Sequence, residues 1–410
     1  MHEAISADLG IESDIFEVRQ ASGGVIRDKH RGRTFVVDGG YSGSSEETIP
    51  LLRRFNNAIF GKVGGHTRLA GAVLSHADGD HVKLLTRVLN SNSRALKDQN
   101  AIAGQEFTAY LGSPFLEYCT GSGKACLDAL IAVNAKIKPL SHVMTSEQTY
   151  EEAQKKTMIG IKPRPYFMNV LIPEFSDFSR QLALIIMLAN SLHGGRARFL
   201  GTVAAPGLLE DAIPIEGAAE EENTVFHDGK NNNGAVVKLT YKGKRIIFPG
   251  DINGDHCTDK LLLSVPPLDI YFLKTDVLIA AHHGADRERT NNAAWLLMSD
   301  AAYIIISAGE MEGNYIHPRF NSALNMATIL KCNKLHVAPH VIQCGDPTGL
   351  TIMNCEKLAE LFCLKTGSRV MEKGGKWLQM NTHLPLYTTQ TSGDIRIIIT
   401  SAGALNVEES

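Results

Sequence analysis

The sequence predicts an α/β fold, and two observations lead to that prediction. Apolar runs of strand length alternate with segments in which apolar residues recur at helical spacing. Clusters of histidine and aspartate follow directly after some of these runs, which is where open α/β folds usually build their sites. With 410 residues, 44% of them hydrophobic, the chain can bury one large core or two smaller ones.

The N-terminal part is predicted to begin with two strands, DIFEV (14–18) and TFVVDGG (34–40). The connecting GGVIRDKHRGR (23–33) has the glycines and charges of a turn region. Apolar residues at helical spacing then predict a helix in ETIPLLRRFNNAIF (47–60). The strand AGAVL (70–74) follows. After a polar loop, VKLLTRVLN again has a helical pattern.

The middle of the chain is predicted to be a long, partly helical insertion over one face, at about residues 90–206. Its helical stretches are 106–119, 126–136 and 178–192. The strand signal returns with GAVVKLTYKGKRIIFPGD (234–251), which predicts a β-hairpin around Lys242, Gly243 and Lys244.

The later elements are predicted to be two buried strands, DVLIAAHHG (276–284) and AAYIIISAG (301–309), and then a C-terminal extension. The extension contains a helical EKLAELFCL (356–364) and a strand DIRIIIT. No Pro/Ser-rich linker divides the chain. We therefore expect one main domain in residues 1–330, with the extension 331–410 packed on it.

Charge and cysteine content narrow the function classes. The net charge of −3 gives no strongly basic face from the totals, although a local patch remains open. Seven cysteines without framework spacing suit free thiols in a reducing compartment. The acidic N-terminus is unlike a secretory signal, and the longest apolar run, at 182–189, is less than half of a membrane span. We therefore expect a soluble, cytoplasmic protein without a membrane segment.

The stretch LSHADGDH (74–81) crowds two histidines and two aspartates into six positions. Carboxylates this close repel one another unless a positive charge lies between them, and a divalent cation is the simplest such charge. Imidazole and carboxylate ligands suit Zn²⁺, Mn²⁺ or Fe. The motif therefore predicts a metal site after a strand.

HADGDH resembles the HxHxDH signature of the metallo-β-lactamase superfamily, with Asp78 in place of the second histidine. This HxDxDH variant is similar to the soluble hydrolase domain of the ComEC-type competence DNA-uptake proteins. Further blocks resemble the family in the same order: FVVDGG (35–40), NNNGAVVKLTYKGKRIIFPGD (231–251), DVLIAAHHG (276–284) and IHP (316–318). The resemblance covers roughly residues 14–85 and 231–330. It implies an αββα sandwich.

The resemblance also implies two divalent ions, Zn²⁺ or Mn²⁺, that hold an attacking hydroxide between them. The implied ligands are histidines and aspartates of three motifs: His76, Asp78, Asp80, His81, Asp251, His282 and His283.

These ligands would divide between the two ions. His76 and Asp78 would bind one ion, Asp80 and His81 the other. Asp251 would bridge both ions, and either His282 or His283 would complete the second. The aspartate at position 78 adds an anionic ligand, which shifts the preference towards harder ions and makes Mn²⁺ a rival to Zn²⁺. The family's usual serine after HHG is replaced by Ala285.

Several other polar residues are candidates for the site, and some of them have two possible roles. Asp80 is a catalytic candidate as well as a ligand, and His317 is either a substrate-facing acid or a structural histidine before Pro318. Asp38 could orient a ligand or simply end a strand, and Asp38 and Asn233 are the candidates for substrate contact. A further ligand could come from another histidine, for which the candidates are His142, His193 and His227.

The leading functional hypothesis is a metal-dependent phosphodiester hydrolase, most concretely a DNA nuclease, because the resemblance points to a nucleic-acid substrate. One alternative is a phosphodiesterase for a small cyclic nucleotide. Another is a component of a multi-protein system, such as antiviral defence, that acts through partners bound by the insertion or the C-terminal extension. GSGK (121–124) lacks the full phosphate-loop pattern and has no convincing strand before it. We therefore expect no P-loop.

Overall fold

The computed structural model describes most of the chain in thirteen segments, which are residues 9–18, 21–41, 45–61, 67–112, 115–140, 164–193, 234–252, 273–286, 290–309, 317–333, 335–345, 365–372 and 375–409. The strands within them are β1 (Leu9–Ile15), β2 (Gly23–Asp28), β3 (Arg33–Gly39), β4 (Arg68–Leu74), β5 (Thr108–Leu111), β6 (Lys136–Pro139), β7 (Arg164–Leu171), β8 (Leu182–His193), β9 (Ala235–Tyr241), β10 (Lys244–Phe248), β11 (Val277–Ile279), β12 (Tyr303–Ile306), β13 (His340–Gly345), β14 (Lys365–Glu372), β15 (Gly375–Thr382), β16 (Leu386–Thr388), β17 (Ile395–Thr400) and β18 (Leu405–Glu409).

The α-helices of the described residues are α1 (Ser45–Phe60), α2 (Gly79–Ser91), α3 (Ser93–Asn100), α4 (Gly121–Ala132), α5 (Ala293–Ser299), α6 (Phe320–Cys332) and α7 (Thr389–Ser392). Short 3-10 turns add to these, and one of them contains the HHG sequence (Ala281–Gly284). Among the described residues, no helix combines the length and the apolar character that crossing a membrane requires.

Two large mixed sheets and one small sheet organise the chain. The first sheet has the order β18-β17-β1-β2-β3-β4-β5-β6, and the second has the order β16-β12-β11-β10-β9-β8-β7. In the first sheet β3 to β6 are parallel, and in the second sheet β10, β11, β12 and β16 are parallel. A separate antiparallel sheet has the order β13-β15-β14. The predicted α/β class is confirmed.

Three apolar cores bind these elements into layers. The central core joins Phe35 of the first sheet to Val237 and Val277 of the second, so the two sheets face each other. A second core lies between the first sheet and α1, α2 and α4, and a third between the second sheet and α5 and α6. Since apolar burial is the main driving force of folding, this layering fixes which strand ends meet.

The predicted hairpin at 234–251 and the predicted helix at 47–60 are confirmed by β9, β10 and α1. The prediction that 23–33 is only a turn region is wrong, because β2 occupies Gly23–Asp28 and pairs with both β1 and β3. Val25 and Ile26 are fully buried there, and the turn is confined to the four residues between β2 and β3.

The helices predicted at 106–119 and 178–192 are also wrong in part. Residues 108–111 form β5, residues 115–119 form a 3-10 turn, and residues 182–193 form β8. The run LALIIMLA is apolar on both faces, and periodicity alone cannot separate a buried strand from a buried helix. The helix predicted at 126–136 exists but begins earlier, as α4, and the chain enters β6 at Lys136.

The segment predicted as an insertion over one face contributes strands to both sheets: β5 and β6 extend the first, and β7 and β8 extend the second. The C-terminal part likewise adds β17 and β18 to the first sheet and β16 to the second. The helix predicted at 356–364 lies outside the described residues.

Candidate metal centre

The candidate centre lies where parallel strands of both sheets end. β3 ends next to Asp38, and β4 leads into Ser75 and His76. In the second sheet, β10 precedes Asp251 and β11 leads into the HHG turn. Because the carboxyl ends of parallel strands lie on the same edge of a sheet, residues far apart in sequence meet here.

The HADGDH loop is held between a buried strand and a helix start. Asp78 has the extended backbone of an N-cap residue, with φ −69° and ψ 152°, and α2 begins at Gly79. Asp80 and His81 thereby lie in the first turn of α2, where the helix dipole favours negative charge. The buried apolar face of α2 fixes their direction.

Gly40, in the DGG sequence, allows α2 to approach the end of β3 closely. A Cβ atom at this position would lie 1.5 Å from the carbonyl oxygen of Asp80, which no side chain could tolerate. That same carbonyl oxygen accepts a hydrogen bond from the backbone N–H of Ser22 at 3.0 Å. The glycine therefore serves the placement of the ligand loop.

His81 is fully buried and is oriented by Asp38. Its Nδ1 lies 3.0 Å from Oδ2 of Asp38, which also accepts a hydrogen bond from the Ser75 hydroxyl at 2.8 Å. A carboxylate only accepts hydrogen bonds, so Nδ1 of His81 carries the proton. The other nitrogen, Nε2, is thereby directed at Asp251, which is how carboxylate partners prepare a histidine for a metal.

His283 is prepared in the same way from the second sheet. Its Nδ1 donates to the carbonyl oxygen of Ser307 at 2.9 Å, and Nε2 points towards Asp251. His282 and His283 both have left-handed backbone, with φ of 48° and 53°. Such strain persists only when the surroundings enforce it, and it clusters at functional sites.

Asn291 enforces the shape of the HHG turn. Its side-chain oxygen accepts from the backbone N–H of Ala281 at 3.0 Å, and its amide donates to the carbonyl oxygens of Ala281 and Ala285 at 2.9 and 3.0 Å. The side chain is fully buried. Gly284 has φ +79°, and a Cβ there would lie 2.7 Å from Cβ of Pro318.

Three buried polar atoms converge without hydrogen bonds. Nε2 of His81 and Nε2 of His283 lie 3.2 and 3.5 Å from Oδ1 of Asp251, but none of these atoms has a partner in hydrogen-bond alignment among the described residues. Leaving such groups unsatisfied is costly. Together with Asp80 they form a group whose ligand atoms all lie within 4.8 Å of one another, and this donor set suits a divalent ion.

A second group adjoins the first and shares Asp80 with it. It consists of His76, Asp78 and Asp80, again with ligand atoms within 4.8 Å. Nε2 of His76 lies 3.8 Å from Oδ2 of Asp78, and the rings of His76 and His81 are 3.9 Å apart. This group is more open, because the Asp78 side chain is 38% exposed.

The electrostatics of the first group favour a positive charge at its centre. Burial disfavours a charged ring, yet Asp251 and Asp38 raise the pKa of His81 well above its usual value, and Asp251 raises the pKa of His283. Burial likewise opposes ionisation of Asp251, but His283, His81 and His282 hold the pKa of its carboxyl well below the usual range. The negative charge that raises these two pKa values would also attract a divalent ion, whose binding would displace the protons.

The pKa values of the neighbouring histidines are lowered instead of raised. Burial, followed by the nearby His81, lowers the pKa of His76 to about 4. Burial is also the largest cause that lowers the pKa of His317, to about 3, and it lowers the pKa of His282. These rings are therefore neutral at pH 7, as metal ligation or hydrogen bonding to substrate requires.

His283, rather than His282, belongs to the first group. His282 lies 3.7 Å from Asp251 and is 20% exposed, and its ring centroid is 5.7 Å from that of the buried His317. Asp251 lies in the first group alone, so its predicted bridging role stays a prediction.

Asp38 does not fit the predicted role of contacting substrate. It is 2% exposed and its carboxylate is occupied by Ser75 and His81, which gives it the orienting role instead. Asn233, His142 and His227 lie outside the described residues, as does the side chain of His193.

Sequence reasoning missed the residues that support the ligands, namely Ser75, Asn291 and Ser307. Ser75 directly precedes the motif, so its position in the sequence could have indicated that it contacts the ligands. Asn291 and the carbonyl of Ser307 act on partners 10 and 24 residues away, and no spacing rule reveals such pairs.

Neither the scan against protein-family models nor the search of curated proteins finds a match to this chain.

Proposed function

We propose that this protein is a metal-dependent hydrolase of the metallo-β-lactamase superfamily that cleaves phosphodiester bonds in DNA with two divalent ions, Zn²⁺ or Mn²⁺. The observation that carries the proposal is the convergence of Nε2 of His81, Nε2 of His283 and Oδ1 of Asp251, three buried atoms that have no aligned hydrogen bond within the described parts of the chain. The adjoining group of His76, Asp78 and Asp80 supplies ligands for a second ion.

Two further features support the superfamily assignment. The ordered motifs resemble that family, and the packing of two facing sheets between outer helices is the arrangement that the resemblance implies. The choice of DNA depends on the similarity of the HxDxDH variant to the ComEC-type hydrolase domain.

Two bound divalent ions would supply a hydroxide near neutral pH and would neutralise charge on the leaving oxygen. The side chains of the protein would hold these ions, and neighbouring groups orient the side chains. Asp38 and the carbonyl of Ser307 keep the Nδ1 protons of His81 and His283, so that both rings present Nε2. Asp80 belongs to both groups, and its carboxylate can also accept a hydrogen bond from the attacking water.

His317 is neutral at pH 7, which bears on the role that the sequence suggested for it. Its pKa, lowered to about 3, leaves little protonated ring at pH 7. Its Nδ1 is buried without a hydrogen-bond partner among the described residues. The lowered pKa argues against the acid role that the sequence suggested, and a contact of His317 with substrate stays a prediction.

The test is incubation of the purified protein with single- and double-stranded DNA, RNA and 3′,5′-cyclic nucleotides, each with Mn²⁺, Zn²⁺ or Mg²⁺. We expect metal-dependent cleavage of DNA, which chelation abolishes and Asp251→Asn prevents. Hydrolysis of the cyclic nucleotide alone would replace the proposal by the phosphodiesterase alternative. No cleavage of any substrate by protein with verified metal content would overturn it.

A further inference from the structure

A cavity of about 430 Å³ lies beside the candidate metal centre, between α1, α2 and α4. Its polar lining comes from all three helices and from the residues after β3: Tyr41, Thr48, Lys83, Thr86, Arg87 and Ser122. The volume falls in the range of small-molecule sites in proteins. Neither the metal ligands nor their supporting residues form part of this lining.

The charged side chains that line the cavity are both basic. Lys83 and Arg87 lie one turn apart on α2 and are exposed, and neither makes an ion pair within the described residues. Like charges at this spacing disfavour the helix unless an anion lies between them. The lining also includes hydroxyl-bearing side chains, which can complement an oxyanion: Tyr41, Thr48, Thr86 and Ser122.

GSGK (121–124) adds to the same cavity. The structure places this sequence at the first turn of α4, where backbone N–H groups lack helical partners, and Ser122 lines the cavity. A helix start attracts anions through these groups and through the helix dipole. The two cations of α2, which make no ion pair with the described residues, line the same cavity as Ser122 of that helix start.

The cavity adjoins the metal ligands directly. A Cβ atom built on Gly79 would lie 2.9 Å from Nζ of Lys83 and 3.0 Å from Oγ of Ser122. Gly79 separates Asp78 from Asp80, so the ammonium and the hydroxyl converge on the ligand loop itself. An anion held by Lys83 would therefore lie next to the group that Asp78 and Asp80 belong to.

We propose that this cavity binds a backbone phosphate of a nucleic-acid strand, at a position outside the bond that is cleaved. The inference rests on the proposed function and narrows its substrate class. A 3′,5′-cyclic mononucleotide has a single phosphate, which the metal centre would occupy, so a second phosphate site is useful only for a substrate with several phosphates. Lys83 and Arg87 neutralise this second phosphate and set the register of the strand.

The experiment measures binding in the absence of metal, which separates it from cleavage. Full-length, metal-free protein is titrated into a fluorescent single-stranded DNA of about 12 nucleotides, at salt concentrations between about 50 and 200 mM. The variant is Lys83→Gln/Arg87→Gln. The matched control is Arg94→Gln/Lys97→Gln, which removes two exposed basic residues of α3 outside the cavity.

We expect the cavity variant to bind DNA roughly tenfold more weakly, because both cations that hold this phosphate are lost at a partly exposed site. The slope of log affinity against log salt should become shallower by about 0.7, since each phosphate of a single strand that the protein neutralises contributes about 0.7. The control should keep at least most of the affinity and the slope. An unchanged slope in the cavity variant, or an equal loss in the control, would overturn the inference.

The outcomes also separate this inference from the proposed function. DNA bound through the cavity by a protein that cleaves none would contradict the proposed function alone. DNA cleaved with equal efficiency by wild type and the cavity variant, with equal binding, would contradict the cavity alone. Matching thermal unfolding of all variants verifies their folding.

Discussion

The two ends of β3 each carry buried polar residues, but they use them differently. Arg33 begins the strand and Asp38 follows near its end, and both are at most 5% exposed. At the Arg33 end the polar groups find partners. At the Asp38 end they are aligned towards a point where three of them have none within the described residues.

The Arg33 end is a closed network. Nε of Arg33 donates to Asp28 at 3.1 Å, and its two terminal nitrogens donate to the carbonyl oxygens of Glu174 and Phe175 at 2.8 Å each. Arg180 donates to both oxygens of Asp28 at 2.8 and 3.0 Å. A buried ion pair is tolerable when hydrogen bonds satisfy its remaining atoms, as they do here.

The Asp38 end is satisfied on one side only. Asp38 and Ser307 occupy the Nδ1 atoms of His81 and His283, while the Nε2 atoms converge on Asp251. Both ends of β3 bury charged groups, so burial of charge alone does not mark a functional site. The unsatisfied atoms, all directed at one point, distinguish a place for a ligand from a structural network.

The largest effect is expected from breaking the closed network. Asp28→Ala should lower the free energy of unfolding by about 3–5 kcal/mol, because it leaves Arg33 buried without its carboxylate. Urea unfolding of metal-stripped protein measures this. Asp128→Ala, which removes a surface pair with Lys124, is the control and should cost less than about 1 kcal/mol. A similar small loss in both variants would show that the network is not structural.

The second prediction concerns Asp80, which both ligand groups share. Asp80→Ala should leave a folded protein whose activity is lower by roughly two orders of magnitude, because an electrostatic or proton-transfer partner is lost. Turnover of DNA after stripping and reconstitution with metal is the measurement. Asp98→Ala removes an exposed carboxylate from α3 and should have no effect. Near-normal turnover by Asp80→Ala would exclude this loop as the catalytic centre.

How far the sequence predicts the fold depends on how local the signal is. The hairpin of β9 and β10 and the helix α1 are predictable because turn chemistry and helical spacing lie within one segment. β2, β5 and β8 are not, since their strand character comes from neighbours in the sheets. β8, for example, is fixed by pairing with β7 and β9, and its apolar run fits a buried helix equally well.

The same limit applies to the site. His76, Asp78, Asp80 and His81 are grouped in the sequence itself, so that their proximity is predictable. The distinction between His282 and His283 is not, because it depends on two consecutive left-handed residues and on the carbonyl of Ser307. The orienting role of Asp38 depends on the pairing of β3 with β4, which brings Ser75 beside it.

A third prediction concerns Asp38, which hydrogen-bonds to Nδ1 of the metal ligand His81. Asp38→Asn keeps the shape of the residue but removes the anion that orients His81, so metal affinity should fall about 10- to 100-fold. Competition with a coloured chelator measures the affinity. Asp276→Asn, at a carboxylate bonded to Arg245 and Lys244, is the control and should leave the affinity unchanged. Equal affinities for Asp38→Asn and wild type would contradict the orienting role.

The smallest expected effect is a pH dependence at the closed end. Burial opposes ionisation of Glu174, but Tyr110 and Lys138 lower the pKa of its carboxyl. A lowered pKa contributes stability above the unfolded value of about 4.3, and this stability is lost as the pH falls through the folded value.

In metal-stripped protein, Glu174→Gln should therefore be less stable than wild type at pH 7 by about 1 kcal/mol, and the difference should shrink below about pH 4. Urea unfolding at several pH values measures it. A difference that grows as the pH falls would contradict this assignment.

The metal content of the purified protein distinguishes a metal centre from a purely structural cluster of polar residues. Purified wild-type protein, stripped and then dialysed against Mn²⁺ or Zn²⁺, is analysed for metal per chain by elemental mass spectrometry, beside Asp251→Asn. We predict about two ions per chain for wild type, the more tightly held one in the buried group, and loss of that ion in Asp251→Asn. No stoichiometric Zn, Mn, Fe or Co in wild type, with no uptake on reconstitution, would contradict the account.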